Sequence, residues 1–535
     1  MTPEEWIAHD PDPATAAELA ACDPGELAAR FARPLRFGTA GLRGPVRGGP
    51  DAMNLAVVLR ASWALAQVLK DAHRGGSMVV VGRDARHGSE RFATAAAEFL
   101  ATEEFPVLLL PGPLPTPVVA FAVRQLSAAA GIQITASHNP ATDNGYKVYR
   151  AGGLQIISPT DTQIETAMGS APPADQIARQ PVEPANTQVL QRYVERAAAV
   201  RRGDGQVRVA LTPLHGVGGA VAVDALRHAG FDDIHVVDEQ FAPDPDFPTV
   251  TFPNPEEPGA TDALLALAAR VRADIAIALD PDADRCAVGI PSADGWRMLS
   301  GDETGWLLGD YILSGLSHDK AAASVVASTV VSSRMLAAIA EHYRAQHVET
   351  LTGFKWLARA DDGVPGTLVY AYEEAIGHCV DPDAVRDKDG ISAAVLACDL
   401  VATLKRQHRS IPDALDDLAR LHGVHRTAAV SRRVSDAAEA SAMMARLRAD
   451  PPPSLGGVSV ATADLLQRSE HPSDALVFTG ERSGTSARVV LRPSGTEPKL
   501  KCYIEVRLPA GDDLGAARAA ASRLCDQLIA DVNAW

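Results

Sequence analysis

The chain has little of what would commit it to export, to a membrane or to nucleic acid. Its six cysteines (Cys22, Cys286, Cys379, Cys398, Cys502, Cys525) include no C-x-x-C pair. That argues against a zinc site or a disulfide framework and predicts reduced thiols in a cytoplasmic protein. Cations are outnumbered, 50 against 67 acidic residues, for a net charge of -17. A general nucleic-acid or anionic-membrane surface is therefore not expected, and any phosphate site has to be a local basic pocket in an acidic body. The opening M-T-P-E-E-W lacks the basic, then apolar, layout of a signal peptide, so no export is expected. The longest uncharged stretch, Pro106 to Val123, contains Pro106, Pro111, Pro113, Pro115 and Pro117. These would deny a spanning helix its hydrogen bonds, so the stretch reads as a strand, a proline-rich loop and a helix start.

What is present is a long alternation of short apolar runs and helical patterns. At 535 residues the chain exceeds one hydrophobic core, and four domains are expected, over 1–203, 204–300, 301–424 and 425–535. An alanine-rich helical stretch at 14–32 precedes a glycine loop, F-G-T-A-G-L-R-G, holding Arg43. Helices are predicted over 54–72 and 89–101, and strands over 78–81, 106–110 and 128–134, at βαβ spacing. A connecting helix near 185–203 leads to a second series, with strands at 207–211, 234–237 and 275–279. A third has strands at 324–328 and 367–372, a loop at 351–356 and a helix over 392–407. From about 425 the pattern changes to several strands with helices over 436–448 and 514–532.

The chemistry-bearing stretches sit where these strands end. The run before T-A-S-H-N-P delivers Ser137 into the loop leaving a buried strand, where α/β sheets place ligands. A serine hydroxyl needs activation to act as a nucleophile. His138 is next in sequence, but neighbours on an extended chain point to opposite sides, so adjacency alone does not make it the base. Lys147, in N-G-Y-K-V-Y, is placed to return over the same loop. The strand at 275–279 runs into Asp280-Pro-Asp-Ala-Asp-Arg285, whose three carboxylates can converge if the loop curls round one ion. Oxygen-only ligands suit a hard divalent cation such as Mg2+. A calcium hand fails by register, because its sixth and twelfth positions here are Arg285 and Pro291 rather than glycine and glutamate. Glu373-Glu374-Ala-Ile-Gly-His378 offers carboxylates that accept from sugar hydroxyls. Arg492-Pro-Ser-Gly-Thr-Glu-Pro-Lys499, between two strands, has the donors of a phosphate cradle.

Together these motifs resemble the α-D-phosphohexomutase superfamily, the phosphoglucomutases and phosphomannomutases. T-A-S-H-N-P resembles its phosphoserine loop, D-P-D-A-D-R its magnesium loop, E-E-A-I-G-H its sugar-recognition loop and R-P-S-G-T-E-P its phosphate-binding loop, in the family's order along the chain. F-G-T-A-G-L-R-G, T-G-F-K-W and E-E-A-I-G further resemble the phosphoglucomutase-2-type branch, some of whose members prefer pentose phosphates. The resemblance implies an α/β fold, three similar mixed α/β domains plus a C-terminal α+β domain around a central cleft. It implies an isomerase acting on small-molecule sugar phosphates, with no nucleic-acid or membrane partner, and with a sugar 1,6-bisphosphate as intermediate and activator.

Carried over by motif position, Ser137 is the phosphoserine, and Asp280, Asp282 and Asp284 hold Mg2+, with the phosphoryl oxygen on Ser137 completing the shell. Arg43, His138, Lys147 and Arg285 line the transfer site, with His138 or Lys147 as proton carrier. Lys355, Glu373, Glu374 and His378 meet the sugar, and Arg492, Ser494, Gly495, Thr496 and Lys499 hold its distal phosphate. Two residues depart from the family pattern. Ile376 stands where many bifunctional hexomutases have a hydroxyl, and Lys355 stands where the mannose and glucose enzymes commonly have a histidine. The first expectation is a hexose phosphate mutase acting on glucose, mannose or both. A phosphopentomutase and a catalytically silent sugar-phosphate-binding protein are the alternatives, and a phosphatase would be distinguished by released phosphate.

Overall fold

The computed structural model describes residues 1–37, 41–435, 437–468, 470–494, 499–509, 511 and 513–535. They form two compact units, Met1–Ser300 with Ala375–Arg406, and Gly301–Glu374 with Gln407–Trp535.

The first unit opens with short helices rather than one long one. The alanine-rich stretch breaks into Pro13–Ala20 and Pro24–Ala32, because Asp23 accepts from the backbone N–H groups of Gly25 and Glu26 and Pro24 fits only a first turn. The first sheet contains β1 (Leu42–Pro45), β2 (Val79–Arg83), β3 (Val107–Leu109), β4 (Ala130–Ile134), β5 (Asp143–Arg150) and β6 (Leu154–Gln155). Its order is β1-β5-β4-β2-β3, with β6 paired to β5. β4-β2-β3 are parallel, while β5 runs antiparallel to both β4 and β1. β4 is buried at every residue, and its one polar side chain, Gln133, is accommodated by donating from Nε2 to the Leu114 carbonyl at 3.1 Å. Helices Leu55–Asp71, capped by Asn54, and Ser89–Thr102 share a core with this sheet.

A second sheet has β7 (Val209–Thr212), β8 (Ile234–Val236), β9 (Ile275–Leu279), β10 (Cys286–Ser292) and β11 (Gly295–Met298), ordered β11-β10-β9-β7-β8. The β7 pairings with β8 and β9 are parallel, so the loops leaving β7 and β9 emerge at one end.

In the second unit, β12 (Ser324–Thr329) pairs in parallel with β13 (Gln346–Thr350) and β14 (Thr367–Glu373). The loop expected at 351–356 contains a one-turn helix, Phe354–Leu357, too short for periodicity to reveal. The chain then re-enters the first unit through β15 (Gly377–Cys379) and helix Gly390–Arg406, which packs on β9 and β10. Back in the second unit, β16 (Val424–Arg433), β17 (Ser454–Leu455), β18 (Val458–Ser459), β19 (Ala461–Asp464), β20 (Leu476–Arg482), β21 (Thr485–Pro493) and β22 (Lys499–Leu508) follow. The sheet β16-β22-β21-β20-β19 is antiparallel throughout. Alternation along β21 sends Val489 and Leu491 into a core with helices Ala437–Ala449 and Leu514–Asn533, and Val490 toward Val330 and Val331. Among the described residues no helix is long and apolar enough to cross a membrane. All six cysteines are free.

Candidate active site

In the first unit, Ser137 lies just past the end of β4 with φ 53°, a left-handed conformation that is uncommon outside glycine and locally costly. Its N–H donates to Thr135 Oγ1 (2.9 Å), and the turn folds the next side chain back, so His138 Nδ1 lies 3.2 Å from Ser137 Oγ. The extended geometry that would separate the two is therefore not adopted. The turn is pinned by Arg86, whose guanidinium donates to the carbonyls of Ser137 and Asn139 (2.6 Å each) and Pro140 (2.7 Å).

Ser137 Oγ donates to Asp280 Oδ2 at 3.0 Å. The loop carrying Asp280 curls at Ala283 (φ 54°), which gathers one oxygen each from Asp280, Asp282 and Asp284 within 4.8 Å of one another. All three residues are fully buried. Two backbones press against this curl, and each does so at a glycine. A Cβ on Gly216 would lie 2.3 Å from Pro281 Cα, and one on Gly390 would lie 2.5 Å from the Arg285 carbonyl oxygen. Lys147, on β5, places Nζ 2.8 Å from both Asp282 and Asp284. Thr116 Oγ1 donates to Asp282 (2.6 Å), and Lys388 Nζ lies 3.4 Å from Asp284. Asp282 Oδ1 and Asp284 Oδ1 are buried and take no hydrogen bond among the described residues. Two orphaned carboxylate oxygens beside a third acid fit a divalent cation with oxygen ligands.

The electrostatics follow from burial. Asp280 is pushed well above the carboxylate range by desolvation and by its neighbours Asp282 and Asp284. Burial also opposes ionisation of Asp284, but Lys147, Lys388 and Arg285 outweigh it and hold the acid below the usual range. Burial disfavours the charge on Lys147, yet Asp282 and Asp284 raise its pKa and keep the ammonium protonated. His138 is driven well below an ordinary imidazole by burial, then by Arg285 and Arg43. Arg43, on β1, donates to Asn139 Oδ1 at 2.9 Å, which ties the glycine-loop cation to the serine turn. Arg285, whose N–H donates to Asp280 Oδ1 (3.1 Å), completes a ring of cations around buried acids.

The sugar-loop motif divides between the units. Ile376, with φ 53°, and His378 belong to the first. Ile376 is buried in the core that covers β9, which accounts for the absence of a hydroxyl there. His378 is fully buried on β15, and burial lowers its pKa to about 3. An unfolded imidazole titrates near 6.5, so between those values only the unfolded chain takes up the proton, and stability falls as pH falls through 6.5 toward 3. At pH 5 the loss is about 2 kcal/mol. Thermal unfolding followed from pH 7.5 to 5 should show the midpoint falling, and His378→Asn should make that fall smaller without removing it, because burial also lowers His138, His347 and His422.

In the second unit, Glu373 and Glu374 stand at the end of β14, and the helix Phe354–Leu357, which carries Lys355, packs against β12 and β14. Glu374 Oε2 accepts from Thr329 Oγ1 (3.1 Å) and Ser332 Oγ (3.0 Å). Arg492 pairs across the ladder with Lys501, and Ser494 N–H donates to the Lys499 carbonyl at 2.8 Å, closing the hairpin base. Gly495 and Thr496, expected at its tip, lie outside the described residues.

Four models of one family match the chain in order. They describe the phosphoglucomutase/phosphomannomutase α/β/α domain I over residues 34–173, domain II over 191–292, domain III over 300–421 and the C-terminal domain over 432–518. The chain belongs to this family. As a phosphoglucomutase/phosphomannomutase family member it is an enzyme, a phosphomutase of the isomerase class. It is 41% identical over 469 residues to a Haemophilus influenzae protein named probable phosphomannomutase, covering 85% of this chain and 93% of that one. It is 33% identical over 573 residues to the phosphopentomutase of Mus musculus, covering 95% and 90%. The crystal structure of pp63/parafusin (phosphoglucomutase) from Paramecium, in an open form, superposes with a TM-score of 0.70 at 18% identity, over 92% of this chain and 94% of that one, and shows the shared fold.

Three residues at the family site were not singled out from the sequence. Arg86 sits in G-R-D-A-R-H-G after β2, and Lys388 in R-D-K-D-G before a buried helix. Both are charge clusters beside glycine at element ends, the kind of signal that marked Arg43 in its glycine loop. Thr116 carried no such signal, since it opens helix Thr116–Gln125 between two prolines and its role is visible only through Asp282.

Proposed function

We propose that this phosphomutase interconverts hexose 1-phosphate and hexose 6-phosphate, with glucose, mannose or both as the sugar, through phospho-Ser137 and a bound hexose 1,6-bisphosphate. The observation that carries the reading is the buried hydrogen bond from Ser137 Oγ to Asp280 beside three converging carboxylates and the Lys147 ammonium. In the first half-reaction the bond from phosphorus to Ser137 Oγ breaks, and one from phosphorus to the free sugar hydroxyl forms. The hydroxyl proton passes to a base, for which His138, 3.2 Å from Oγ and neutral, is the candidate. The imidazolium returns that proton to the departing Ser137 Oγ. The bisphosphate turns end over end; Ser137 Oγ then gives its proton back to His138 and bonds to the phosphorus of the other phosphoryl group, while that phosphorus parts from its sugar oxygen, which takes the proton. In-line transfer of this kind depends on positioning and on neutralised charge. Arg43, Lys147 and Arg285 supply fixed cations. Mg2+ held by Asp280, Asp282 and Asp284 would add Lewis-acid neutralisation of the phosphoryl oxygens. Lys355, Glu373, Glu374 and His378 would receive the sugar, while Arg492, Ser494, Gly495, Thr496 and Lys499 grip the phosphate that is not reacting.

A pentose phosphate is the second reading, favoured by the identity to the mouse phosphopentomutase over nearly the whole chain. Steady-state kcat/KM on mannose 1-phosphate, glucose 1-phosphate and ribose 1-phosphate, each with Mg2+ and the matching bisphosphate, separates the two. The better hexose should exceed ribose by at least about tenfold, the low end of what a missing carbon costs, and by up to about 10^4-fold if the site hydrogen-bonds a hydroxyl the smaller sugar lacks. A ribose preference would replace the hexose reading with the pentose one.

A further inference from the structure

Thr329 ends β12 and Ser332 lies in the turn that follows, the end of a parallel sheet where ligands bind. Both are almost wholly buried, at 1% and 4% exposure. Their hydroxyls are 2.8 Å apart and both reach the same oxygen of Glu374, Oε2. Ser332 Oγ also accepts from the Glu374 backbone N–H (3.1 Å), and Thr329 Oγ1 from that of Ser332 (3.2 Å). Two buried hydroxyls thus hold one oxygen and the main chain of a half-buried glutamate. Oε1 takes no hydrogen bond from the described residues.

An unanchored glutamate loses about 1.5 kcal/mol or more of rotamer freedom when a ligand orders it. Anchored at Oε2, Glu374 meets that cost in the folded protein, which favours ligand affinity. The anchoring also fixes direction. A single oxygen with two open lone pairs accepts from ring hydroxyls on one side only, so a sugar with one of those hydroxyls inverted loses a contact.

We propose that Thr329 and Ser332 are positioning residues for Glu374, setting both affinity for the sugar phosphate and preference between epimeric hexoses. The inference rests on the reading that Glu374 meets the sugar. The test is to measure kcat and KM for mannose 1-phosphate and glucose 1-phosphate in Thr329→Val and Ser332→Ala, with Thr329→Ser and Ser332→Thr as hydroxyl-retaining partners and Glu374→Gln as reference. Expected are a KM for the better sugar raised about tenfold, as for loss of hydrogen bonds to a charged group, a kcat within about twofold, and a preference ratio that shrinks in step. Thr329→Ser and Ser332→Thr should restore both quantities. If KM and the ratio hold in Thr329→Val and Ser332→Ala while Glu374→Gln raises KM, or if kcat falls with KM unchanged, the positioning role is wrong and the sugar contact stands. If Glu374→Gln also leaves KM unchanged, the sugar contact itself is wrong. Should Ser332→Ala fail to fold, the nearly isosteric Thr329→Val decides the matter against Thr329→Ser.

Discussion

Ser137→Ala is expected to abolish mutase turnover, with kcat falling by roughly four orders of magnitude or more, as when an enzyme loses its only nucleophile. Binding of a sugar monophosphate should survive within about twofold, because the substitution removes one buried oxygen and none of the groups assigned to the sugar. Alanine keeps the left-handed backbone at φ 53° without the hydrogen bond to Asp280, so a modest drop in thermal midpoint should accompany the loss. Arg86 and Thr135 hold the turn independently of the Ser137 side chain, so the loop stays in place. A coupled assay, with calorimetric binding of glucose 1-phosphate alongside, checks both halves. Retained turnover with intact binding would remove Ser137 from the covalent step and leave the aspartate cluster without its proposed phosphoryl donor.

How far the site was legible in the sequence depends on what each residue touches. Ser137, Asp280 and Glu374 were found because each follows a short apolar run, and a buried strand ending in polar residues delivers them to one end of a sheet. The helix Leu55–Asp71 and strand Ile275–Leu279 were legible for the same reason, since pattern and burial coincide. The break at Asp23-Pro24 was passed over because alanine on both sides kept the composition helical. The approach of His138 to Ser137 depends on one left-handed dihedral that neither residue type advertises. Arg86 and Lys388 act on partners distant in sequence, and periodicity reports which face is buried without saying against what. The Ile376 departure was visible as chemistry but not as cause. Only the fold shows that its position packs into the core over β9, where a hydroxyl would need a partner.

Asp282→Asn should weaken Mg2+ binding by roughly 100-fold or more, beyond what loss of a supporting residue does to a metal site, and turnover should fall with it at any fixed Mg2+ concentration. Asp282 is fully buried, with Thr116 and Lys147 donating to Oδ2 and Oδ1 left without a partner among the described residues. Asparagine keeps the shape but brings an NH2 group. If that group occupies the Oδ2 place it opposes two donors, and if it occupies the Oδ1 place it turns a donor toward the cation site. The first arrangement sets the amide against Thr116 and Lys147, the second takes a ligand oxygen away, and both remove the negative charge that draws the cation. The metal-free protein should behave differently. Burial, and then repulsion from Asp282 and Asp284, pushes Asp280 well above the carboxylate range. Removing one charge relieves that repulsion while Lys147 keeps Asp284, so the metal-free variant should melt no lower than the metal-free wild type. Added Mg2+ should then stabilise only the wild type, by about 2.7 kcal/mol at a hundred times its dissociation constant. Thermal midpoints measured along a Mg2+ titration read both effects without using activity. A titration curve unchanged by Asp282→Asn would show that the triad is a structural acid cluster and that the metal, if required, binds elsewhere.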